Sequence, residues 1–309
     1  MKHRIGLIGF GSMGTNHARV LSSLANVDFV GIFDSNIKNT HSSYKFYSSV
    51  DKLISDSDLL IIATPTSSHH KFAEYCIKEN KHILVEKPYS LDIEELQKFD
   101  ELSKKTEVFI KIGLLEKYNP VVQFLKTQKI DDIYSIKIER LSPSDQINRN
   151  KDHVLLDLSI HDFSILQSLI GTDLSQFEFE FFFKNNDPHN HVDIVGRDEK
   201  TNIIISTSKL SQKKVRTLVI NSSRAMYITN LANNSVEILA HEGIENLNST
   251  DLGGFKEKIY TTHPIIDYKE PLLGQIENFL IEIENKDLSA NRSELTRDIS
   301  LHNFLMSNI

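Results

Sequence analysis

Gly9-Phe10-Gly11-Ser12-Met13-Gly14, Asp34, Glu86-Lys87-Pro88 and the pair Asp157 and His161 are the residues of this 309-residue chain whose types and order could do chemistry together. In a G-x-G-x-x-G turn the first glycine permits the tight bend, and the second lets backbone approach a phosphate. The third lets the following helix pack close to its strand. Amides at a helix start, backed by the helix dipole, attract negative charge. Arg4 to Gly9 reads as the buried strand and Thr15 to Leu24 as the helix, so the six residues predict a pyrophosphate cradle. Val27 to Phe33 is a second apolar strand ending at Asp34, twenty residues beyond Gly14. A carboxylate there accepts hydrogen bonds from both adenosine ribose hydroxyls and repels a 2′-phosphate. No Lys or Arg follows before Lys38, which favours NAD over NADP.

The other residues suit proton handling. Val154 to Ile170 has helical apolar spacing and ends at Gly171, a C-cap signal. Asp157 and His161 are four residues apart on it, so they share a face and can touch. A carboxylate beside an imidazole fixes its tautomer and stabilises the imidazolium, as a general base near neutral pH requires. Asp162 points about 100° away from His161 on such a helix, which suits a structural role. Taken without its neighbours, an Asp/His pair on a helix is more often a surface contact, and a lysine after a buried strand a solvated charge.

These residues must be positioned by alternating elements. Short apolar strands are predicted at Lys45 to Tyr47, Asp58 to Ala63, His82 to Val85 and Glu107 to Ile112, with helices at Ser49 to Ser55 and Ser67 to Glu79. Asp92 is a predicted N-cap, with Glu95 completing a capping box. Alternation of this kind gives a doubly wound parallel sheet, whose ligands bind outside the carboxyl ends of the strands. Three segments fall there: Gly9 to Gly14, Ala63-Thr64-Pro65-Thr66 with His69, and Glu86-Lys87-Pro88. Pro65 and Pro88 stiffen their turns. From Tyr134 onward the pattern turns to strands, at Tyr134 to Leu141, Phe177 to Phe183, Asn202 to Ser208, Val215 to Asn221 and Ala225 to Thr229. That predicts an open, mostly antiparallel sheet with one helix-covered face; the other face, including Phe181 and Phe183, needs a partner. The polar loop Ser142 to Arg149 could approach a substrate, with Arg149 a candidate for a phosphate or carboxylate group.

Composition narrows the class. The length suits two domains, and 39% hydrophobic residues can build a core in each. A net charge of −7 with mixed signs gives no basic footprint for nucleic acid. The single cysteine, Cys76, excludes a disulfide framework and a cysteine-rich zinc site, and it sits on the apolar side of a predicted helix. The scattered histidines, His69-His70 among them, predict no metal site. No stretch reaches membrane-spanning length, so a cytoplasmic location is the default expectation.

Gly9 to Gly14, Ala63 to Thr66 with His69, Glu86-Lys87-Pro88, Gly113 to Pro120 and Leu156 to Asp162 together resemble the glucose–fructose oxidoreductase/inositol dehydrogenase/rhizopine catabolism (Gfo/Idh/MocA) family, with Glu-Lys-Pro as its hallmark. The resemblance implies an α/β protein with an N-terminal Rossmann domain, 1–118, and a C-terminal α/β domain, 119–309. The second domain carries the substrate and an open sheet for a homodimer or homotetramer, with substrate between the domains. It implies NAD held by Gly9, Phe10, Gly11, Ser12, Met13, Gly14, Asp34, Thr64, Pro65, His69, Glu86 and Lys87. It also implies a hydride moved between a sugar or polyol and the nicotinamide. His161 then takes the hydroxyl proton, Asp157 orients His161, and Lys87 hydrogen-bonds the oxygen. Tyr118 and Arg149 join Lys87 and His161 as candidate substrate contacts. Lys117 and Tyr118 depart from the family's Glu-Arg-Phe-Asn-Pro, and lysine lacks arginine's planar fork. Members acting on the 3-hydroxyl of UDP-N-acetyl sugars look nearest, with free polyols next. A dinucleotide-binding regulator without turnover and an NAD-dependent glycoside hydrolase are the alternatives.

Overall fold

The computed structural model describes residues 2–36, 43–143, 152–171, 174–241 and 259–309; Lys38 and Arg149 lie outside the described residues. The chain forms two compact units, Met1–Leu115 with Pro271–Ile309, and Glu116–Glu270.

The first unit contains β1 (His3–Ile8), α1 (Ser12–Ser23), β2 (Val27–Phe33), α2 (Val50–Asp56), β3 (Leu59–Ile62), α3 (His69–Lys78), β4 (His82–Val85), α4 (Ile93–Lys104) and β5 (Ile110–Ile112). Its five parallel strands run in the order β2-β1-β3-β4-β5. All four side chains of β3 are buried, as in a strand covered on both faces. Lys45 to Tyr47, expected as a further strand, makes only an isolated bridge between Ile32 and Phe46. Asp92 caps α4, accepting from the Glu94 amide at 2.7 Å. Glu95 instead turns to the Ser90 hydroxyl and to His70, so the reciprocal half of the expected capping box is used elsewhere.

The second unit opens with α5 (Pro120–Thr127), β6 (Ile133–Pro143) and α6 (Ile160–Ile170). Seven further strands follow: β7 (Glu178–Phe183), β8 (His191–Arg197), β9 (Asn202–Ser211), β10 (Val215–Ser222), β11 (Ala225–Asn230), β12 (Ser235–His241) and β13 (Ile259–Thr262). The sheet order is β13-β12-β11-β10-β6-β9-β8-β7, parallel at β6–β9 and antiparallel at its other pairings. Alternate residues are buried: Ile136, Ile138, Ile203, Ile205, Leu218 and Ile220 form the inner face. Phe181 and Phe183 belong to that face too, opposite buried Ile194 and Val192, and Phe182 takes the open face. This reverses the expected side of the two rings. Three consecutive phenylalanines leave the strand's parity unreadable, and pairing with β8 decides it. Strands β8, β12 and β13 were not anticipated.

The last two helices, α7 (Pro271–Asn285) and α8 (Leu288–Met306), correct the expected boundary. They belong to the first unit, not to a continuous 119–309 domain. Leu272, Ile276, Phe279 and Leu280 share one core with Ile5, Leu7, Leu21 and Ile61. Lys111 of β5 is buried against Glu282 at 2.5 Å and Glu294 at 3.3 Å, and the Ile110 amide donates to Asn291 Oδ1. An amphipathic helix announces that it covers a sheet but not which one. Among the described residues no helix is long and apolar enough to cross a membrane.

Candidate active site residues

The phosphate turn follows from three glycines with three different requirements. Gly9 has φ +97°, and a Cβ there would lie 2.5 Å from the Ala63 carbonyl oxygen. A Cβ on Gly14 would run into the Gly9 carbonyl, so the close packing of α1 on β1 needs a bare backbone. A Cβ on Gly11 meets no protein atom within 4 Å. The protein itself does not require glycine at 11, whereas a phosphate held against that backbone would. Ser12 and Met13 open α1 with their side chains exposed and half-buried.

Asp34 closes this cradle. Its Oδ2 accepts from the Phe10 amide at 2.7 Å and its Oδ1 from the Asn36 amide at 2.8 Å. Each carboxylate oxygen has two lone-pair directions, so both retain capacity for a ribose hydroxyl. The Phe10 ring packs edge-on against Tyr44 and Phe46. The residues present therefore fit a dinucleotide.

At the next two strand ends the structure separates presenting residues from bracing ones. Thr64 accepts from the Ser68 hydroxyl at 2.9 Å, and Pro65 leads into a short 3₁₀ turn, Thr66–Ser68. His69 is buried, with Nε2 at 2.7 Å from the Thr64 carbonyl and Nδ1 at 2.9 Å from the Pro88 carbonyl. It ties the two loops together. Glu86 is also buried, its Oε1 at 2.7 Å from His17 Nε2 on α1. Lys87, the next residue, is half-buried at the end of β4. His302 of α8 donates from Nε2 to the Ser90 carbonyl at 2.9 Å, and burial pushes its pKa down to about 4. Sequence reasoning missed His17 and His302; the available signal was a polar ring on the buried side of a helix.

In the second unit the helical run begins with a π-turn, Leu155–Ser159, in which the Ile160 amide reaches back to the Leu155 carbonyl. Turns of this kind occur often at functional sites. Asp157 lies within it and His161 in the first turn of α6, where His161 is buried. Asp157 Oδ2 is 2.9 Å from Lys209 Nζ, which also donates to the Asp152 carbonyl at 2.6 Å. Lys209 is buried on β9 and was not anticipated. His153 is held down to about 4 by burial first, then by His189 and Lys209.

Asp162 takes the structural place expected for it. It is fully buried, accepts from Arg140 Nε at 2.6 Å, and shares that arginine with Glu116 at 3.1 Å. Arg216, beside this cluster, is pulled down to about 10 by burial and by Arg140. Tyr118 is half-buried in the short 3₁₀ turn Leu115–Tyr118, and Lys117 is buried there. Asn119 caps α5 through the Val121 amide at 3.0 Å and donates to the Leu231 carbonyl.

Residues 3–114 match the family model GFO_IDH_MocA, described as oxidoreductase family, NAD-binding Rossmann fold. The chain is 30% identical over 175 residues to UDP-N-acetylglucosamine 3-dehydrogenase of Acidithiobacillus ferrooxidans, 55% of each chain, so the match spans about half of that relative's length. It is 24% identical over 306 residues to inositol 2-dehydrogenase of Rhizobium meliloti, covering 92% of this chain and 89% of the other. The solved structure of UDP-N-acetylglucosamine 3-dehydrogenase GnnA from Acidithiobacillus ferrooxidans has the same fold, with a TM-score of 0.80, 22% identity and coverage of 100% of this chain and 98% of that one.

Proposed function

We propose that this protein is an NAD-dependent dehydrogenase of a sugar hydroxyl. The observation that carries the reading is the pyrophosphate cradle together with Lys87 at the end of β4, inside an NAD-binding domain of this family. Bound NAD would supply a hydride acceptor, held through the amides of Gly9 to Gly14 and the Asp34 carboxylate. Thr64 and Pro65 would line it, while His69 and Glu86 act on it through the loops that they brace. Asp34 repels a 2′-phosphate, which supports NAD over NADP.

His161 takes the proton of the substrate hydroxyl, and Asp157 orients the ring and stabilises the imidazolium. Lys87 donates a hydrogen bond to the oxygen that becomes the carbonyl. Tyr118 and Arg149 are proposed substrate contacts. Holding these groups in line accounts for much of the acceleration, since hydride transfer needs close, aligned partners. The substrate class is a nucleotide sugar oxidised at its 3-hydroxyl, supported by the relative that acts on UDP-N-acetylglucosamine; a free polyol is the alternative supported by the inositol-oxidising relative. On the open face of the second sheet, Val195 pairs with Ile204 and Val219 with Ile228, the two pairs flanking Lys137 of β6, which supports pairing of two copies there.

The test follows NADH formation with UDP-N-acetylglucosamine, inositols and free hexoses, using NAD and NADP. Turnover of one sugar with NAD, lost in Lys87→Ala, is the expected result. Tight NAD binding without turnover of any member would move the assignment to a dinucleotide-binding regulator. Release of free sugar from an aryl glycoside without net NADH would move it to a hydrolase.

A further inference from the structure

We propose that Lys209 is a positioning residue of the proton-transfer pair, holding Asp157 and offsetting its charge so that His161 stays neutral and able to accept a proton. Strand parity places Lys209 on the inner face of β9, after Ile203, Ile205 and Thr207. An ammonium buried there is costly unless paired and hydrogen-bonded. Both conditions are met: Asp157 Oδ2 lies at 2.9 Å and the Asp152 carbonyl at 2.6 Å.

Four residues span about one turn whether the backbone winds as α or π, so Asp157 and His161 rise from adjacent turns on one side of the run. A lone carboxylate in that place would favour the imidazolium and saturate the base with its own proton. The Lys209 cation offsets this pull. Its reach is visible at His153, which it helps to keep neutral. Among the described residues, the neighbouring cations are committed elsewhere. Arg140 is engaged by Asp162 and Glu116, and Arg216 donates to the Leu141 and Val215 carbonyls and to Ser142. His189 packs edge-on against His153.

This inference rests on the reading of His161 as the base, and its test separates the two. The first measurement is an NMR titration of the His161 ring, assigned with His161→Ala, in the wild-type protein, Lys209→Gln and Lys209→Arg. It needs no substrate. Gln keeps a donor for the Asp152 carbonyl without the charge, and Arg keeps the charge. The His161 pKa should rise by about one unit in Lys209→Gln and stay within a few tenths of wild type in Lys209→Arg. In turnover, the acid limb of the kcat/KM profile for oxidation should move upward with it. An unmoved His161 pKa in folded Lys209→Gln overturns the role of Lys209, whatever the activity. A shifted ring in a protein without dehydrogenase activity upholds the coupling and removes the functional reading instead. If Lys209→Gln does not fold, Lys209→Met repeats the titration, and failure of both to fold assigns Lys209 to stability alone and overturns the proposal.

Discussion

Glu86 and His17 meet at 2.7 Å with both side chains buried, joining the strand end that carries Lys87 to the helix that begins at the phosphate turn. One contact thus couples the position of the lysine to that of the cofactor cradle. Removing one partner strands the other, a loss that in buried pairs costs on the order of 3–5 kcal/mol. His17→Ala should lower stability by that order in denaturant unfolding and should weaken NAD binding although the residue does not line the cradle. Unchanged stability and affinity would show the contact to be incidental.

The three glycines should separate on substitution. Gly14→Ala places a methyl into the Gly9 carbonyl and should destabilise the fold. Gly11→Ala meets no protein atom, so the thermal midpoint of the free protein should hold while NAD affinity falls at least about tenfold, or ~1.4 kcal/mol. Calorimetry of both variants with and without NAD checks this. Equal loss of stability in both would remove the argument that position 11 is kept small for a ligand.

Asp34 is both a brace of the Phe10 amide and the proposed reader of the ribose. Asp34→Asn keeps an acceptor for that amide and removes the charge. The ratio of NAD to NADP affinity should fall by about tenfold or more through a gain toward NADP. A ratio that does not change would place cofactor choice elsewhere.

His302 gives a pH dependence of stability whose sign is fixed by its burial. Its folded pKa, near 4, lies below the ordinary 6.5, so the unfolded chain binds a proton first as pH falls. Stability from this group is fully present above about pH 6.5 and falls progressively toward pH 4, the loss reaching about 3 kcal/mol at the bottom of that window. His302→Gln should flatten the unfolding free energy between those values, measured by urea titration at several pH values. An equally steep dependence in the variant would reassign it to other groups.

Much of the first unit was legible because a buried parallel strand and a glycine turn are local signals: β1, β2, β3 and β4 lie where their apolar runs lie, and Gly171 ends α6 with φ +67° as its type suggested. What escaped was set by tertiary choice. Nothing in the α7 sequence says that Phe279 completes the core of Leu7 and Ile61 over a hundred residues upstream. The same limit hid Lys209: its polarity reads as surface until β9 pairs beside β6 and turns it toward Asp157. Glu86 and His69 were legible as positions, but their inward turn depended on His17 and on the Pro88 carbonyl.

In the proposed reaction His161 and Lys87 serve one substrate hydroxyl, whose carbon gives its hydride to NAD. The most direct measurement is the NADH produced from UDP-N-acetylglucosamine by the wild-type protein, His161→Ala and Lys87→Ala, with NAD binding measured in parallel. Turnover is expected in the wild type, with a loss of about 10²–10⁴-fold in His161→Ala and NAD affinity retained. Undiminished turnover in His161→Ala would contradict that reaction.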